Sequence, residues 1–284
     1  MSSKNYTIGI DIGGTDMKAV LFDGEKVIEN SVLGTPKTSV DHLLVMAMAL
    51  VNPLLEKAKE NKIKIKGMGL SIAGAVNSKE GKVLVSPNIK ILDNCKIASL
   101  FEKTFALETK IDNDGHCFLR AEAGIGAGKK YANIYALTLG TSIGTAWWFN
   151  NEVYGGFHGS AGEVAQNIIN YSDRVKLETA YQKLTQNNPA QLAEEAYRGD
   201  VLAERVYEEI GDYIGITIAN IINMIDPEII IIGGGVIESS DLFLSRAKKT
   251  MREFIQNPEA KKIKILKSKI GKYAGAIGAA LLIK

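Results

Sequence analysis

Two stretches of this chain share one pattern, an apolar strand, a turn of glycine and threonine, and a second strand. No other feature of the 284 residues restricts the fold as strongly. The first is residues 8–11, the turn Gly13-Gly14-Thr15 and residues 17–22; the second is residues 134–139, the turn 140–144 and residues 145–149. Consecutive N–H groups at such a turn converge on one place, where an anion can sit. A carboxylate closing the strand, Asp11, can hold the Mg²⁺ of a nucleotide directly or through water, and Thr15 can hydrogen-bond a phosphate oxygen. Taken alone, the first stretch is equally an ordinary hairpin with a Gly-Gly turn. One hairpin per half predicts a duplicated fold whose halves present their turns to each other across a cleft.

Between the hairpins, strand and helix patterns alternate, which predicts an α/β protein. Residues 41–61 read as a helix with Leu43, Leu44, Ala47, Leu50, Val51, Leu54 and Leu55 on one face and Pro53 as its weak point. A strand over 65–72 ends in the turn Ala73-Gly74-Ala75; a helix over 97–105 and an extended run over 107–111 lead to Asp112-Asn113-Asp114-Gly115. A long helix over 200–224 stops at Asp226-Pro227, and the four isoleucines 229–232 form a strand buried on both faces, ended by Gly233, Gly234 and Gly235. The expected division is a small lobe over 1–113 and a large lobe over 114–284, with the last helix packing back on the small lobe.

With 46% hydrophobic and 23% charged residues, the composition is that of a soluble globular protein. A net charge of +2 with interspersed signs gives no reason to expect nucleic acid, and the lysines of 62–66 and 261–269, interrupted by isoleucines, read as solvated strand faces. Two cysteines are too few for a disulfide framework or a structural zinc site, and no apolar run reaches the length of a membrane span. The opening residues carry no apolar export signal, so a cytoplasmic location is expected.

Asp114 and its neighbours are the best candidates for a catalytic base, because carboxylates at strand ends project into the crevice of an α/β fold. By itself the same tetrapeptide also reads as a simple turn. Glu163 and Glu178 are further carboxylate candidates. Gly140–Gly144 matches the G-x-S-x-G form of a hydrolase elbow, but the residues that follow read as a strand where an elbow opens a helix. Residues 124–130 lack the spacing of a P-loop, and no G-x-G-x-x-G occurs. His116 and His158 lie near the candidate residues without metal-ligand spacing.

Read together, DIGGTDMKAV, DND after a strand, GTSIGTAWW, GSAGEVAQ, ANIINMIDPEIIIIGGGV and AGAIGAALL resemble the ROK family of sugar kinases and repressors along the whole chain. The resemblance implies the actin-like ATPase fold of hexokinases, a ribonuclease H-like duplicated α/β fold of two lobes with ATP, Mg²⁺ and sugar in the cleft between them. It makes Asp11, Gly13, Gly14 and Thr15 the first phosphate loop, Gly140, Thr141 and Gly144 the second, and Gly233, Gly234 and Gly235 the adenosine-side loop. It makes Asp114 the general base, with Gly74, Asn88, Asn113, Glu163, Gln166 and Glu178 on the sugar. Closure of the lobes over the sugar and a homodimer are further expectations.

The departures from the family pattern are specific. Gln166 stands where most members have a histidine, and Lys176 precedes Leu177-Glu178 where they have a cysteine-rich zinc motif, so no structural zinc is expected and the loop needs another brace. Ser142 and Thr145 replace glycines of the second phosphate loop, and Ala73-Gly74-Ala75 replaces a Pro-Gly-Pro turn. The expected activity is phosphorylation of the 6-hydroxyl of glucose by ATP. An N-acetylhexosamine, fructose or a β-glucoside are the alternative sugars, and a sugar-sensing protein without catalysis is the alternative class. A repressor of this family carries an extra N-terminal helix-turn-helix, and with the hairpin starting at Ile8 none is expected here.

Overall fold

A computed structural model describes residues 5–283 and divides the chain into two units, one running to Gly126 and resuming at Ile270, the other Ala127–Lys269. In the first unit β1 (Tyr6–Ile12), β2 (Asp16–Phe22) and β3 (Val27–Gly34) form an antiparallel meander. The helix α1 (Val40–Glu60) follows, capped by the Ser39 side chain accepting from His42 N–H. It runs through Pro53, which lies on its exposed side, while Leu43, Ala47, Leu50, Val51 and Leu54 are buried against the sheet. The apolar stripe holds the helix together where the proline was expected to weaken it.

Next come β4 (Ile65–Ile72), the short hairpin β5 (Ala75–Asn77) and β6 (Lys82–Val85), α2 (Ile97–Phe105) and β7 (Thr109–Asn113). Both β4 and β7 join the sheet in parallel, giving the order β3-β2-β1-β4-β7. The helix α3 (Asp114–Ile125) opens directly on β7 and keeps its residues in the first unit, so the chain divides after Gly126 and not at the expected 113/114 boundary. A closing helix, Ala274–Ala280, packs against α3, β1 and β4. It lies backbone to backbone on the strands: a Cβ at Gly9 would stand 1.8 Å from the Ala276 carbonyl oxygen, and one at Gly69 1.8 Å from that of Ala279.

The second unit repeats the plan. Its strands β8 (Ile134–Leu139), β9 (Ile143–Phe149) and β10 (Glu152–Val153) form an antiparallel meander, turned between β9 and β10 by Asn150 and Asn151, both at positive φ. The small hairpin β11 (Ile168–Asn170) and β12 (Val175–Lys176) leads into α4 (Leu177–Thr185), α5 (Pro189–Tyr197) and α6 (Val201–Ile225). Then β13 (Ile229–Gly233), α7 (Leu244–Phe254) and β14 (Lys264–Lys267) complete a sheet ordered β10-β9-β8-β13-β14. Ile229, Ile230, Ile231 and Ile232 are all fully buried, as expected of a central parallel strand. Of the 261–269 lysines, Lys264 and Lys267 lie on the edge strand β14, whereas Lys261 and Lys262 belong to a short 3-10 turn. Among the described residues no helix is long and apolar enough to cross a membrane.

Because the atom that a Gly69 side chain would strike is backbone, it cannot rotate away. Gly69→Ala is expected to cost about 3 kcal/mol or more, read as a lower denaturation midpoint at unchanged m-value.

Candidate functional site

In the first unit the carboxyl ends of three parallel strands form the site. Asp11 pairs in register with Ser71 on β4, and Ser71 with Asp112 on β7, so one row of the sheet carries three polar side chains on one face. Ser71 Oγ donates to Asp11 Oδ1 at 2.7 Å. Gly275 of the closing helix stands against the same carboxyl, where a Cβ would lie 2.6–2.8 Å from the carboxylate atoms. Crowding by protein raises the Asp11 carboxyl above its ordinary 3.8, and this outweighs the hydrogen bond from Ser71 and the charge of Lys18, which lower it. Such a carboxyl is short of positive charge; among the described residues no group of three or more His, Cys, Asp or Glu side chains that could hold a metal is present, so a cation at Asp11 would meet one carboxylate and otherwise water or a ligand's oxygens.

The turn after Asp11 is closed by Gly13 N–H on the Asp16 carbonyl at 3.0 Å. Thr35 fixes it from outside, its N–H on the Thr15 carbonyl at 2.8 Å and its Oγ1 on the Gly13 carbonyl at 2.7 Å. Thr15 is exposed, and Gly14 faces Asn88, whose Cβ would be 2.9 Å from a Cβ added at Gly14. The structure thus brings a residue expected on the sugar beside one expected on phosphate.

The tetrapeptide 112–115 is not an isolated turn: it starts α3, with Asn113 as N-cap and Asp114 as the first helical residue, half-buried. Asn113 Oδ1 accepts the His116 N–H at 3.2 Å, and its Nδ2 donates to the Gly74 carbonyl at 2.9 Å, which ties the 73–75 turn to the helix start. Asp112 points into the protein. It accepts from Asn113 N–H at 2.8 Å, His116 Nδ1 at 2.8 Å and Arg120 Nη2 at 2.7 Å. An ionised carboxylate only accepts, so His116 carries its proton on Nδ1. Burial alone would raise the Asp112 carboxyl, but the His116 hydrogen bond and the Arg120 charge outweigh it and hold the group down at about 2. His116 and Arg120 therefore serve Asp112. Their spacing of four and eight residues from it is the signal in the sequence, legible only once α3 is recognised.

In the second unit the turn 140–142 is closed by Gly140 N–H on the Ser142 carbonyl at 3.0 Å. Thr141 and Ser142 are exposed. Gly233 pairs with Thr138, and Gly234, at φ +84°, passes so close to the Leu139 carbonyl oxygen that a Cβ would stand 2.2 Å away, so the third glycine loop lies beside the second hairpin. Gly235 opens a 3-10 helix with free space around its α-carbon, and Gly144 faces Thr138 Oγ1.

Glu178 is engaged at this turn, its Oε2 accepting the Ile143 N–H at 2.8 Å and its Oε1 accepting from Gln182 Nε2 at 2.7 Å. Glu163 and Gln166 are exposed at the two ends of a 3-10 turn; Tyr135 OH donates to the Gly162 carbonyl just before it. Gln166 Oε1 accepts from Lys176 Nζ at 3.1 Å, and Leu177 N–H donates to the Asn167 carbonyl at 3.0 Å. A lysine–glutamine hydrogen bond and the β11–β12 hairpin thus hold this loop to the start of α4. Ser71, Gly275, Tyr181 and Gln182 carry no signal of their own in the sequence, because each acts through a partner distant along the chain or one helical turn away.

A carboxyl held at about 2 in the folded chain and near 3.8 when unfolded contributes about 2 kcal/mol of stability above pH 4, lost as pH falls through 2. Asp112→Asn is expected to cost about 3 kcal/mol or more at neutral pH by leaving Arg120 unpaired. Its stability, followed by urea unfolding between pH 4 and 2, is expected to fall less steeply than that of the parent.

Two segments, residues 7–173 and 170–284, match the model of the ROK family. The N-acetyl-D-glucosamine kinase of Histophilus somni (strain 129Pt) is 29% identical over 96% of this chain and 97% of its own length. The xylose repressor of Caldicellulosiruptor bescii is 26% identical over 92% of this chain and 74% of its own length. A ROK family glucokinase from Streptomyces griseus, crystallised with glucose and AMPPNP, is similar with a TM-score of 0.80 at 23% identity, covering 98% of this chain and 99% of that one. The likeness is one of fold, the actin-like ATPase fold of ROK hexokinases. With its model matched over almost the whole length, this chain belongs to the ROK family, which includes sugar kinases and repressors.

Proposed function

We propose that the protein is an ATP-dependent sugar kinase that transfers the γ-phosphoryl group to the 6-hydroxyl of a hexose, glucose before other sugars, with Asp114 as general base. The observation that carries this reading is the shared level of the strand ends: Asp11 closes β1 one strand away from Ser71, and β7 delivers Asp114 at the first turn of α3. Phosphate-binding and proton-accepting groups are thereby held on one rigid sheet, as positioning catalysis requires.

Asp114 accepts the proton of the sugar hydroxyl while that oxygen forms its bond to the γ-phosphorus; the bond to the bridging oxygen of ATP breaks, and ADP leaves with the electron pair. Mg²⁺, when bound, offsets the charge on the phosphates, and Asp11 would hold it. Backbone N–H groups at Gly14 and Thr15, and at Thr141, orient phosphate oxygens on turns that Gly13 and Gly140 close and Gly144 follows, and Gly235, at the end of the loop that Gly233 and Gly234 begin, leaves room for the adenosine. Gly74, Asn88, Asn113, Glu163, Gln166 and Glu178 supply the amides, carboxylates and carbonyl that replace the water around a polyol. The N-acetyl-D-glucosamine kinase of H. somni and the glucose complex from S. griseus support a hexose or hexosamine as acceptor. The likeness to a xylose repressor favours a second reading, a sugar sensor without catalysis, and the presence of both Asp11 and Asp114 speaks against it.

Coupled release of ADP from Mg-ATP over a panel of hexoses, hexosamines and glucosides tests the proposal. One sugar is expected to stand out in kcat/KM, and Asp114→Asn to lower kcat by about 10²–10⁴-fold with little change in the affinity for ATP. Binding of a sugar without consumption of ATP on any member of the panel would overturn the kinase in favour of the sensor.

A further inference from the structure

We propose that α4 is a clamp on the second Gly-Thr turn, and that Glu178, Tyr181 and Gln182 are positioning residues for the nucleotide; this rests on the kinase reading above. The three side chains stand at i, i+3 and i+4 of one helix, so they share a face, and that face meets the turn at three places. Glu178 Oε2 accepts the Ile143 N–H at 2.8 Å, Tyr181 OH donates to the Gly140 carbonyl at 2.8 Å, and Gln182 Nε2 donates to Ser142 Oγ at 3.3 Å. Gln182 Nε2 also donates to Glu178 Oε1 at 2.7 Å, which links two of the clamping side chains.

The turn has little to hold it otherwise. Its own closure is the single bond from Gly140 N–H to the Ser142 carbonyl, while Thr141 and Ser142 are exposed. A backbone loop that is to present N–H groups to phosphate gains from being fixed before the ligand arrives, and side chains from a packed helix do this. Tyr181 and Leu177 are buried in the core of the second unit, so the helix is anchored there, while Glu178 and Gln182 reach the turn. Ser142 takes part because its hydroxyl gives Gln182 an oxygen to bond, which a glycine would not.

Glu178 joins the turn to the sugar side, since a carboxylate has about four acceptor sites and two are used here. Both of its oxygens already accept hydrogen bonds at the turn, and a carboxylate beside a phosphate site disfavours the anion unless its hydrogen bonds set the geometry. Loss of the clamp through Tyr181 or Gln182 is therefore expected to appear in the handling of nucleotide more than of sugar. The helix begins where the β11–β12 hairpin ends, and Lys176, the residue before it, holds Gln166. The loop carrying Glu163 and Gln166 and the nucleotide turn are in this way both tied to α4.

The test compares the parent with Tyr181→Phe, Gln182→Ala, Glu178→Ala and Glu178→Gln, measuring KM for Mg-ATP and for the preferred sugar, and the Kd of Mg-ATP without sugar. Tyr181→Phe keeps the buried ring and Gln182 is only partly buried, so at least these two are expected to keep the parent's melting temperature. The expected result is a rise of about tenfold in KM and Kd for Mg-ATP, corresponding to one lost hydrogen bond, with the sugar KM of Tyr181→Phe and Gln182→Ala within a factor of two. Glu178→Gln, which keeps an acceptor for Ile143 N–H, is expected to recover most of what Glu178→Ala loses. In Tyr181→Phe and Gln182→Ala, a rise confined to the sugar KM, an equal rise in both constants, or no rise in either folded variant overturns the clamp. A parent that binds Mg-ATP but phosphorylates no sugar overturns the kinase reading alone, and the Kd values then decide the clamp; a parent that does not bind Mg-ATP overturns both.

Discussion

The common register of β1, β4 and β7 is the constraint on which the first unit depends. Parallel pairing fixes Asp11 opposite Ser71 and Ser71 opposite Asp112, and the next row sets Ile12, Ile72 and Asn113 side by side. A slip of one residue would invert every side chain of a strand. Asp112 would lose Arg120, the buried Ile10 and Ile12 would exchange faces, and α3 would start from the wrong height. The apolar rows on one face, packed under α1, hold the polar row on the other face at the strand ends, and so the core sets the geometry of the candidate chemistry.

The acidic residues nearest the site divide their work according to what surrounds them. Asp112 is surrounded by donors, stays ionised to low pH and acts as a structural anion. Asp11, two strands away, has the Ser71 hydroxyl and the charge of Lys18 against the loss of solvent, and these do not prevent its carboxyl from being raised. Asp114 begins a helix and so stands among the unsatisfied N–H groups of its first turn. Three carboxylates of identical chemistry thus meet three different environments set by the fold alone.

Much of this architecture was legible in the sequence. The four isoleucines 229–232, the alternation of strand and helix, the Asn-Asn turn and the two Gly-Thr hairpins are local signals, and each forms what its residues favour. The helix α3 was missed because its opening reads equally as a turn: Asn113 is a good cap and a good turn residue, and only packing against the closing helix decides between them. The boundary after Gly126 was missed with it. Glu178 illustrates the limit for the site. Its type and position mark it as functional, but whether it serves the sugar or the turn depends on the fold of α4 against β9, a contact 35 residues apart in the chain. Gly275 is invisible for a similar reason, since its value lies in the carboxyl of a residue at the opposite end of the described chain.

The first unit is built from two separated pieces of chain, with the whole of the second inserted between Gly126 and Ile270. During synthesis the inserted unit emerges complete before the closing helix does, so it can fold while the first unit still lacks a layer. Until that helix arrives, β1 and β4 expose a strip whose Gly9 and Gly69 backbone is made to fit a helix at contact distance and nothing bulkier. The nascent first unit is consequently an unfinished sheet with one bare face. Its completion is a long-range docking event that waits for the closing helix, so the unit begun first is the one finished last.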